Sequence, residues 1–128
     1  MVSPVFQSEN YVLARNLLDA ASVRQEAVAA NIANADTPGY RRVDLAPDFA
    51  AQLKSRLKAG DLASSDANFK PQIIADPLAR SVRPDGNSVN IEHELLVMNR
   101  NQVEHEYLTN IISQNIKQLK MAITGRQS

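Results

Sequence analysis

The chain has 128 residues, 44% of them hydrophobic and only 5% aromatic, and this length predicts a single domain. Basic and acidic residues number 14 each, so no net charge would draw the chain to nucleic acid or to an anionic membrane. Without cysteine there is no disulfide, thiolate nucleophile or Cys-ligated metal. The abundant Ala suits close helix packing better than a thick globular core.

The N-terminal stretch MVSPVFQSENYVLARN has neither a basic segment nor a continuous apolar segment. We therefore do not expect a conventional cleaved secretory signal. No stretch of the sequence is apolar for long enough to span a bilayer. If this chain leaves the cytoplasm, another export route must carry it.

Residues 11–35 lack Gly and Pro and are rich in good helix formers, which predicts one helix of roughly 37 Å. Two heptad columns form a seam that only Gln25 interrupts. They are Tyr11, Leu18, Gln25 and Ile32, and Ala14, Ala21, Val28 and Ala35. The helix must end near Asp36 because Pro38 disfavours a helical conformation at Thr37. Pro38 and Gly39 then suit the centre of a type II turn.

The middle of the chain carries weaker signals. The segment RRVDLAPDF after the turn should be extended. A short helix is predicted over 48–59, capped by Asp48 and ended by Gly60, with Phe49, Leu53 and Leu57 on one stripe. From Asp61 to Val89 turn residues dominate, with FKPQII and LARSVR as brief strand candidates. We expect this part to be loosely structured, with room for one β-hairpin.

A second long helix is predicted over 91–123, with Asn90 as its N-cap, acidic residues in its first turn and Gly125 as its stop. Its predicted seam is apolar at both ends and polar in the middle. The two heptad columns are Ile91, Met98, His105, Ile112 and Leu119, and Leu95, Gln102, Thr109, Ile116 and Ile123. The polar positions, with Gln25 on the first helix, either fix helix register or face solvent.

These elements predict a mainly α fold. The long N- and C-terminal helices would pack as a coiled-coil-like bundle around an irregular middle of residues 36–90, all within one domain. Two helices can pair with each other, but one antiparallel pair covers only one stripe of each. Helices from other copies would cover the rest. The predicted helix-packing and assembly residues are Leu18, Val28, Ile32, Leu95, Met98, Ile112, Ile116 and Leu119.

The first helix ends in AANIANADTPGY, residues 29–40. This run resembles the signature of the flagellar rod and hook axial proteins, an ANNIAN-like stretch followed by TPGY. The later run DGNSVNIEHELLVMNRNQ is similar to the same family's approach to its C-terminal helix, although Asn90 stands where a carboxylate is usual. The short length, the lack of a large middle domain and the closing LKMAI point to the proximal-rod branch.

This resemblance implies a structural subunit that polymerises through its terminal helices, forms part of the drive shaft and surrounds an export channel. It implies as partners other copies of the chain, rod proteins such as FlgC, the FliE adaptor and the flagellar type III export apparatus. Location in the periplasmic rod of the basal body follows, with export unfolded and without a cleaved signal. We expect a dilute monomer to be only partly folded, because an isolated helix recovers little of its ordering entropy.

The motif residues Asn31, Asn34, Thr37, Pro38, Gly39 and Tyr40 have two interpretations. The Asn side chains either bond across subunits or cap the helix end locally, and Tyr40 either contacts a neighbour or folds onto its own helix. Pro38 and Gly39 serve the turn in both cases.

No catalytic, cofactor-binding or metal-binding residues are predicted. Glu-His-Glu occurs at 92–94 and 104–106, but His93 and His105 are 12 residues apart, roughly 18 Å along one helix, so a solvated charged face is expected. Arg41 and Arg42 could bind an anionic surface or a partner's carboxylates but do not make a nucleic-acid site. The alternative to a rod subunit is a soluble helical adaptor or secretion chaperone that uses the same seams, and a metal-dependent enzyme is a remote third.

Overall fold

The computed structural model describes residues 9–60, 69–79 and 83–125, except for the side chains of residues 9, 10 and 119. In chain order the elements are α1 (Glu9–Ala33), β1 (Val43–Leu45), α2 (Pro47–Ala59), β2 (Ile73–Ala75) and α3 (Ile91–Thr124). The chain is mainly helical, as predicted. Within the described ranges, no helix has the length and apolar character needed to cross a membrane.

The long helices lie where the sequence predicts them. α1 ends at Ala33, two residues before the predicted end, because the N–H of Ala35 donates to the carbonyl of Ile32 and turns the chain more tightly. α3 begins at Ile91 as predicted, and the Asn90 side chain caps it by accepting a hydrogen bond of 3.2 Å from the N–H of His93.

The start of α2 differs from the prediction. Its N-cap is Ala46, whose side chain makes no capping hydrogen bond, and Asp48 lies inside the first turn. Pro47 supplies the starting signal instead, because its fixed φ suits the first helical position and its missing N–H is not needed there. Asp48 still places a negative charge near the positive end of the helix dipole.

A two-stranded antiparallel sheet joins β1 to β2, with Val43 opposite Ala75 and Leu45 opposite Ile73. The expected extended segments contain β1 and the first two residues of β2, but the pairing is not the hairpin allowed for in residues 61–89. α2 separates the strands along the chain, so local turn signals could not reveal the pairing. In the other strand candidate, LARSVR, Leu78 and Ala79 lie in a turn, and residues 80–82 are outside the described ranges.

One face of α1 packs against α2 and the segment before β2. Ala20 lies in a buried cluster with Phe49 and Leu53, two of the three residues of the predicted α2 stripe, whereas Leu57 is exposed. The Phe49 ring stacks on Phe69 with 4.9 Å between the ring centroids. This cluster ties the middle of the chain to α1.

A second face of α1 packs antiparallel on α3. On α1 this face is the small-residue column predicted from the heptad pattern, and all four members are buried: Ala14, Ala21, Val28 and Ala35. On α3 the buried residues are Glu94, Asn101 and Leu108, a heptad column that the sequence analysis did not choose. The Asn101 Nδ2 donates to the carbonyl of Ala21 over 2.8 Å, which the small Ala side chain permits.

The predicted α3 seam therefore faces elsewhere. Most large apolar side chains of α3 remain exposed although the helix is packed along one side. The exposed ones are Ile91, Leu95, Leu96, Val103, Tyr107, Ile116 and Ile123. Beyond Leu108, no side chain of α3 that the structure describes is fully buried. The helix pair is thus well packed at one end and open at the other.

This gradient of packing predicts a gradient of order in the isolated chain. In hydrogen exchange on dilute protein, we expect amides of residues 110–124 to exchange at least about tenfold faster than those of residues 94–101, because the distal half lacks buried contacts. The proximal half of the same helix is the internal control. Equal, strong protection along the whole of α3 would contradict both this gradient and the expectation of a partly folded monomer.

Candidate functional site

The motif AANIANADTPGY at the end of α1 contains the predicted type II turn. The N–H of Tyr40 donates to the carbonyl of Thr37 over 3.2 Å, and Gly39 has a φ of 72°, which favours glycine. The Thr37 hydroxyl donates to the Asn34 side-chain oxygen, and the Asn34 amide donates to the carbonyl of Ala30. Asn34 and Thr37 therefore close the helix end locally.

A second turn, from the DGN segment, lies against the first. The N–H of Gly39 donates to the carbonyl of Asp85 over 2.9 Å, and the N–H of Ser88 donates to the carbonyl of Tyr40 over 3.1 Å. A β-carbon added at Gly86 would lie 3.5 Å from the Cα of Gly39, and the φ of Gly86 is 85°. The two turns are therefore joined backbone to backbone.

Asn87 connects the second turn to the end of α1. Its side chain is fully buried, and its Nδ2 lies within hydrogen-bond distance of the carbonyls of Asn34, Ala35 and Thr37, at 3.0, 3.1 and 2.8 Å. Its Oδ1 accepts from the N–H of Val89 at 2.7 Å. The three carbonyls belong to the turns that follow α1, so Asn87 holds these turns from a distant part of the chain.

Arg42 is the centre of a cluster that we call the polar junction: Asn31, Arg42, Asp44, Asp76 and Glu94. The Arg42 Nε donates to the Glu94 Oε1 over 2.5 Å, and its Nη1 donates to Asp76 at 2.7 Å and Asp44 at 3.2 Å. Arg42 is 7% exposed and Glu94 is 0% exposed. A guanidinium with several donors suits such multiple carboxylate contacts.

Asn31 links this junction to α1 and to the sheet. Its Nδ2 donates to the carbonyl of Val43 and to the Glu94 Oε2, and its Oδ1 accepts from the N–H of Val43. The Asn31 amide thus pairs with Val43 much as a neighbouring strand would. The Tyr40 hydroxyl lies 3.5 Å from the same Oδ1, so Tyr40 folds onto its own helix.

The electrostatics of the junction favour a charged Arg42. Burial alone would lower the pKa of its guanidinium, but the hydrogen bond and charge of Glu94, followed by those of Asp44, raise that pKa above its ordinary value. Burial and then the charge of Glu94 also raise the pKa of the Tyr40 phenol. These shifts favour a charged Arg42 guanidinium beside a neutral Tyr40 phenol.

Two interpretations of charged residues need correction. Arg42 was considered a surface group for a partner's carboxylates, but it is buried on carboxylates of its own chain. Glu94 was placed on a solvated face with the rest of its Glu-His-Glu triplet, but it points inward toward Arg42, while His93 remains exposed. The nearby DGN resemblance was the only sequence signal that distant residues meet here.

The predicted packing residues divide by exposure. On α1, Val28 is buried, while Leu18 and Ile32 are half-buried. On α3, Met98 and Ile112 are half-buried and Leu95 and Ile116 are exposed, while the Leu119 side chain is outside the described set. The polar positions Gln25, Gln102, His105 and Thr109 are all exposed. Among the described residues, no group of three or more His, Cys, Asp or Glu could hold a metal ion.

The described residues form a mainly helical protein with a buried ion pair near two joined turns and with apolar side chains exposed on its long helices. Comparison with known proteins places this chain among structural proteins. Residues 14–41 match a family model described as "Flagella basal body rod protein".

Relatives named "Flagellar basal body rod protein FlgB" match most of the chain. The protein from Borrelia hermsii is 31% identical over 87% of this chain and 93% of its own length. The protein from Escherichia coli K12 is 32% identical over 78% of this chain and 82% of its own length. The Bacillus subtilis protein is 28% identical over 86% and 89%. This chain therefore belongs to the FlgB family of flagellar basal-body rod proteins, which confirms the predicted resemblance.

The ion pair predicts unequal effects for two adjacent arginines. Arg42→Met should lower the free energy of unfolding by about 3 kcal/mol or more, because it leaves Glu94 buried without a cation. Arg41→Met, at an exposed position next to it, should change that free energy by less than about 0.5 kcal/mol. Urea unfolding followed by circular dichroism measures both. Adding Glu94→Leu to Arg42→Met should restore part of the loss, and equal effects of the two arginine changes would disprove the assignment.

Asn87 predicts a similar contrast between two Asn→Asp changes. Asn87→Asp should cost at least about 3 kcal/mol, because it buries a carboxylate that faces three carbonyl oxygens just after α1 and has no donor to give them. Asn90→Asp should be neutral, since Asp caps a helix as well as Asn does. Thermal unfolding of the two variants tests this pair, and a stable Asn87→Asp protein would show that those carbonyls do not depend on the amide.

Proposed function

We propose that this chain is a structural subunit of the proximal rod of the bacterial flagellar basal body. In this proposal it polymerises through α1 and α3, transmits torque, and forms with its neighbours the wall of the export channel. Membership of the FlgB family supports the rod assignment. The proposed polymerisation, torque transmission and channel wall depend on the apolar surface that the two long helices leave exposed.

The observation that carries the proposal is the pattern of burial along α3, in which polar residues are buried and apolar residues are exposed. Its polar residues Glu94 and Asn101 are buried against α1, while Leu95 is 42% exposed and Val103 is 67% exposed. Burial of apolar surface is the main favourable term in association, so a long helix with this pattern is suited to partners on its outer side. Partners on that side would also order the distal half of α3.

A groove between the helices offers a second apolar surface. It lies at the open end of the pair, lined by Leu13 and Leu17 of α1 and by Leu108 and Ile111 of α3. A helix from another copy would fit such a groove in the way helices pack in bundles. The chain would then contact neighbours on more than one side, as a tubular assembly requires.

The proposed partners follow from the family. They are copies of this chain, other rod proteins such as FlgC, the FliE adaptor and the flagellar export apparatus. We further propose that the chain reaches the periplasmic rod through the flagellar type III pathway without a cleaved signal peptide. Purification of basal bodies separates this proposal from a soluble adaptor or secretion chaperone, which would stay in the cytoplasm in complex with one partner.

Exposed residues of the predicted seam give the sharpest test of assembly. A substitution at the buried Val28 would also disturb folding, so its effect on assembly could not be separated. Ile116→Asp and Leu95→Asp should abolish motility on soft agar while export of the chain continues, because each places a charge in a contact between copies. Gln52→Asp places the same charge at an exposed polar position of α2, outside α1 and α3, and is the matched control that should stay motile. Ordinary motility of both apolar variants would count against the proposed assembly.

A further inference from the structure

The two strands of the small sheet differ in what lies beside them. On the side of β1 that faces away from β2, the Asn31 Nδ2 donates to the carbonyl of Val43 and the Asn31 Oδ1 accepts from the N–H of Val43. This side of β1 is therefore paired with a side chain of α1. In the described part of the chain, the corresponding side of β2 has no such partner.

β2 is hydrogen-bonded to the segment of β1 at both of its ends. The carbonyl of Gln72 accepts from the N–H of Ala46 over 2.8 Å, and the N–H of Asp76 donates to the carbonyl of Arg42 over 2.9 Å. The residues around β2 whose backbone groups face β1 are therefore the even-numbered ones.

The odd-numbered residues of β2 face the other way, because successive residues of a strand direct their backbone groups to opposite sides. Ile74, which lies opposite Asp44, continues the even-numbered series. The N–H and C=O groups of Ile73 and Ala75 then point away from β1. We call these groups the open edge of β2.

Prolines mark both ends of the open edge. Pro71 and Pro77 share the odd numbering of Ile73 and Ala75, and each lacks the N–H that would continue a pairing. Proline and charged side chains commonly protect sheet edges from unwanted pairing. Here the prolines lie outside the strand, whose own residues are Ile, Ile and Ala. The open edge therefore permits pairing over the short length of β2 and no further.

The side chains of β2 are exposed as well. Ile73 is 39% exposed and Ile74 is 40% exposed, and they project from opposite faces of the sheet. Ile73 lies opposite Leu45, which packs against the buried cluster between α1 and α2. A strand added at the open edge would extend this apolar row on one face and cover Ile74 on the other.

We propose that an extended segment of a different rod protein pairs with the open edge of β2 and adds a third strand to the sheet. This inference rests on the proposed function, which surrounds the chain with other rod proteins. Strand addition gives affinity through backbone hydrogen bonds and specificity through alternate side chains. The added segment carries an apolar residue on the face that Leu45 and Ile73 share. A third strand also strengthens the sheet, since two strands alone are marginally stable.

A second copy of this chain is the rival occupant of the open edge. Two such edges could pair antiparallel with each other, because each offers two donors and two acceptors. That pair would be two-fold symmetric and closed, so the two copies would point in opposite directions. The proposed rod joins an adaptor at one end to further rod proteins at the other, so its subunits would share one direction. We therefore assign the open edge to a different protein.

Removal of one outward N–H tests the pairing without touching the contact with β1. Ala75→Pro deletes a donor of the open edge, and edge positions tolerate proline. Ala75→Val keeps the N–H and is the matched control. We expect Ala75→Pro to abolish motility on soft agar, although its export and its thermal unfolding midpoint match those of the motile Ala75→Val. Motility of a folded Ala75→Pro chain would overturn the inference.

Photo-cross-linking keeps the inference testable if Ala75→Pro does not fold. A diazirine analogue of leucine is placed at Ile73 or at Ile74 in motile cells, and the cross-linked peptides are mapped in purified basal bodies. We expect the two positions to label neighbouring residues of one segment in one other protein, because adjacent residues of paired strands face opposite sides. The same analogue at Gln52, on the exposed surface of α2, should not label that segment.

The labelled sites separate the outcomes. Labelling of a second copy of this chain, or no labelling, would overturn the inference. Labelled sites three or four residues apart would overturn it too, because that spacing is typical of a partner helix. Each of these results leaves the proposed function intact when the basal bodies contain the chain. Basal bodies that lack the chain would overturn the proposed function itself.

Discussion

The ion pair between Arg42 and Glu94 determines where the second half of the chain returns to the first. Around it, α1 and α3 meet mainly through Ala side chains, which have little shape to define a unique position along the helix axis. A buried charge has no such freedom, because moving Glu94 by one turn would separate it from Arg42, the one cation that pairs with it among the described residues. Asn31 holds the same carboxylate from α1, so the register of the helix pair depends on this contact.

That arrangement has a consequence for the outer surface. Since α3 directs Glu94 and Asn101 inward, its leucines and isoleucines face outward along much of the helix. The inward contacts are concentrated near the start of α3, and its distal half has few of them. A chain built in this way has a fixed end, where polar contacts set the geometry, and an open end, where few buried contacts offset the ordering entropy. This division would suit the proposed subunit, which we expect to order during assembly.

The sequence predicted the helices well because their boundaries depend on local signals. Pro38, Asn90 and Gly125 act within a turn of their own positions, and the ends they predict agree with the structure to within two residues. The packed face of α3 was not predictable in the same way. Heptad analysis favours apolar columns, and here the apolar column faces outward while a mostly polar one faces α1. The partners of Arg42 lie on three separate segments, and such long-range contacts leave little trace in periodicity.

The match of the family model to residues 14–41 now has a physical interpretation. Within that range, Asn31 is fully buried, Gly39 completes a turn that lies against Gly86, and Tyr40 folds back on Asn31. These motif residues therefore serve contacts inside the chain. The feature that identifies the family is the joint that positions the two helices. We expect exposed residues outside this joint to contribute most to discrimination between partners in the proposed assembly, and α3 has many of them.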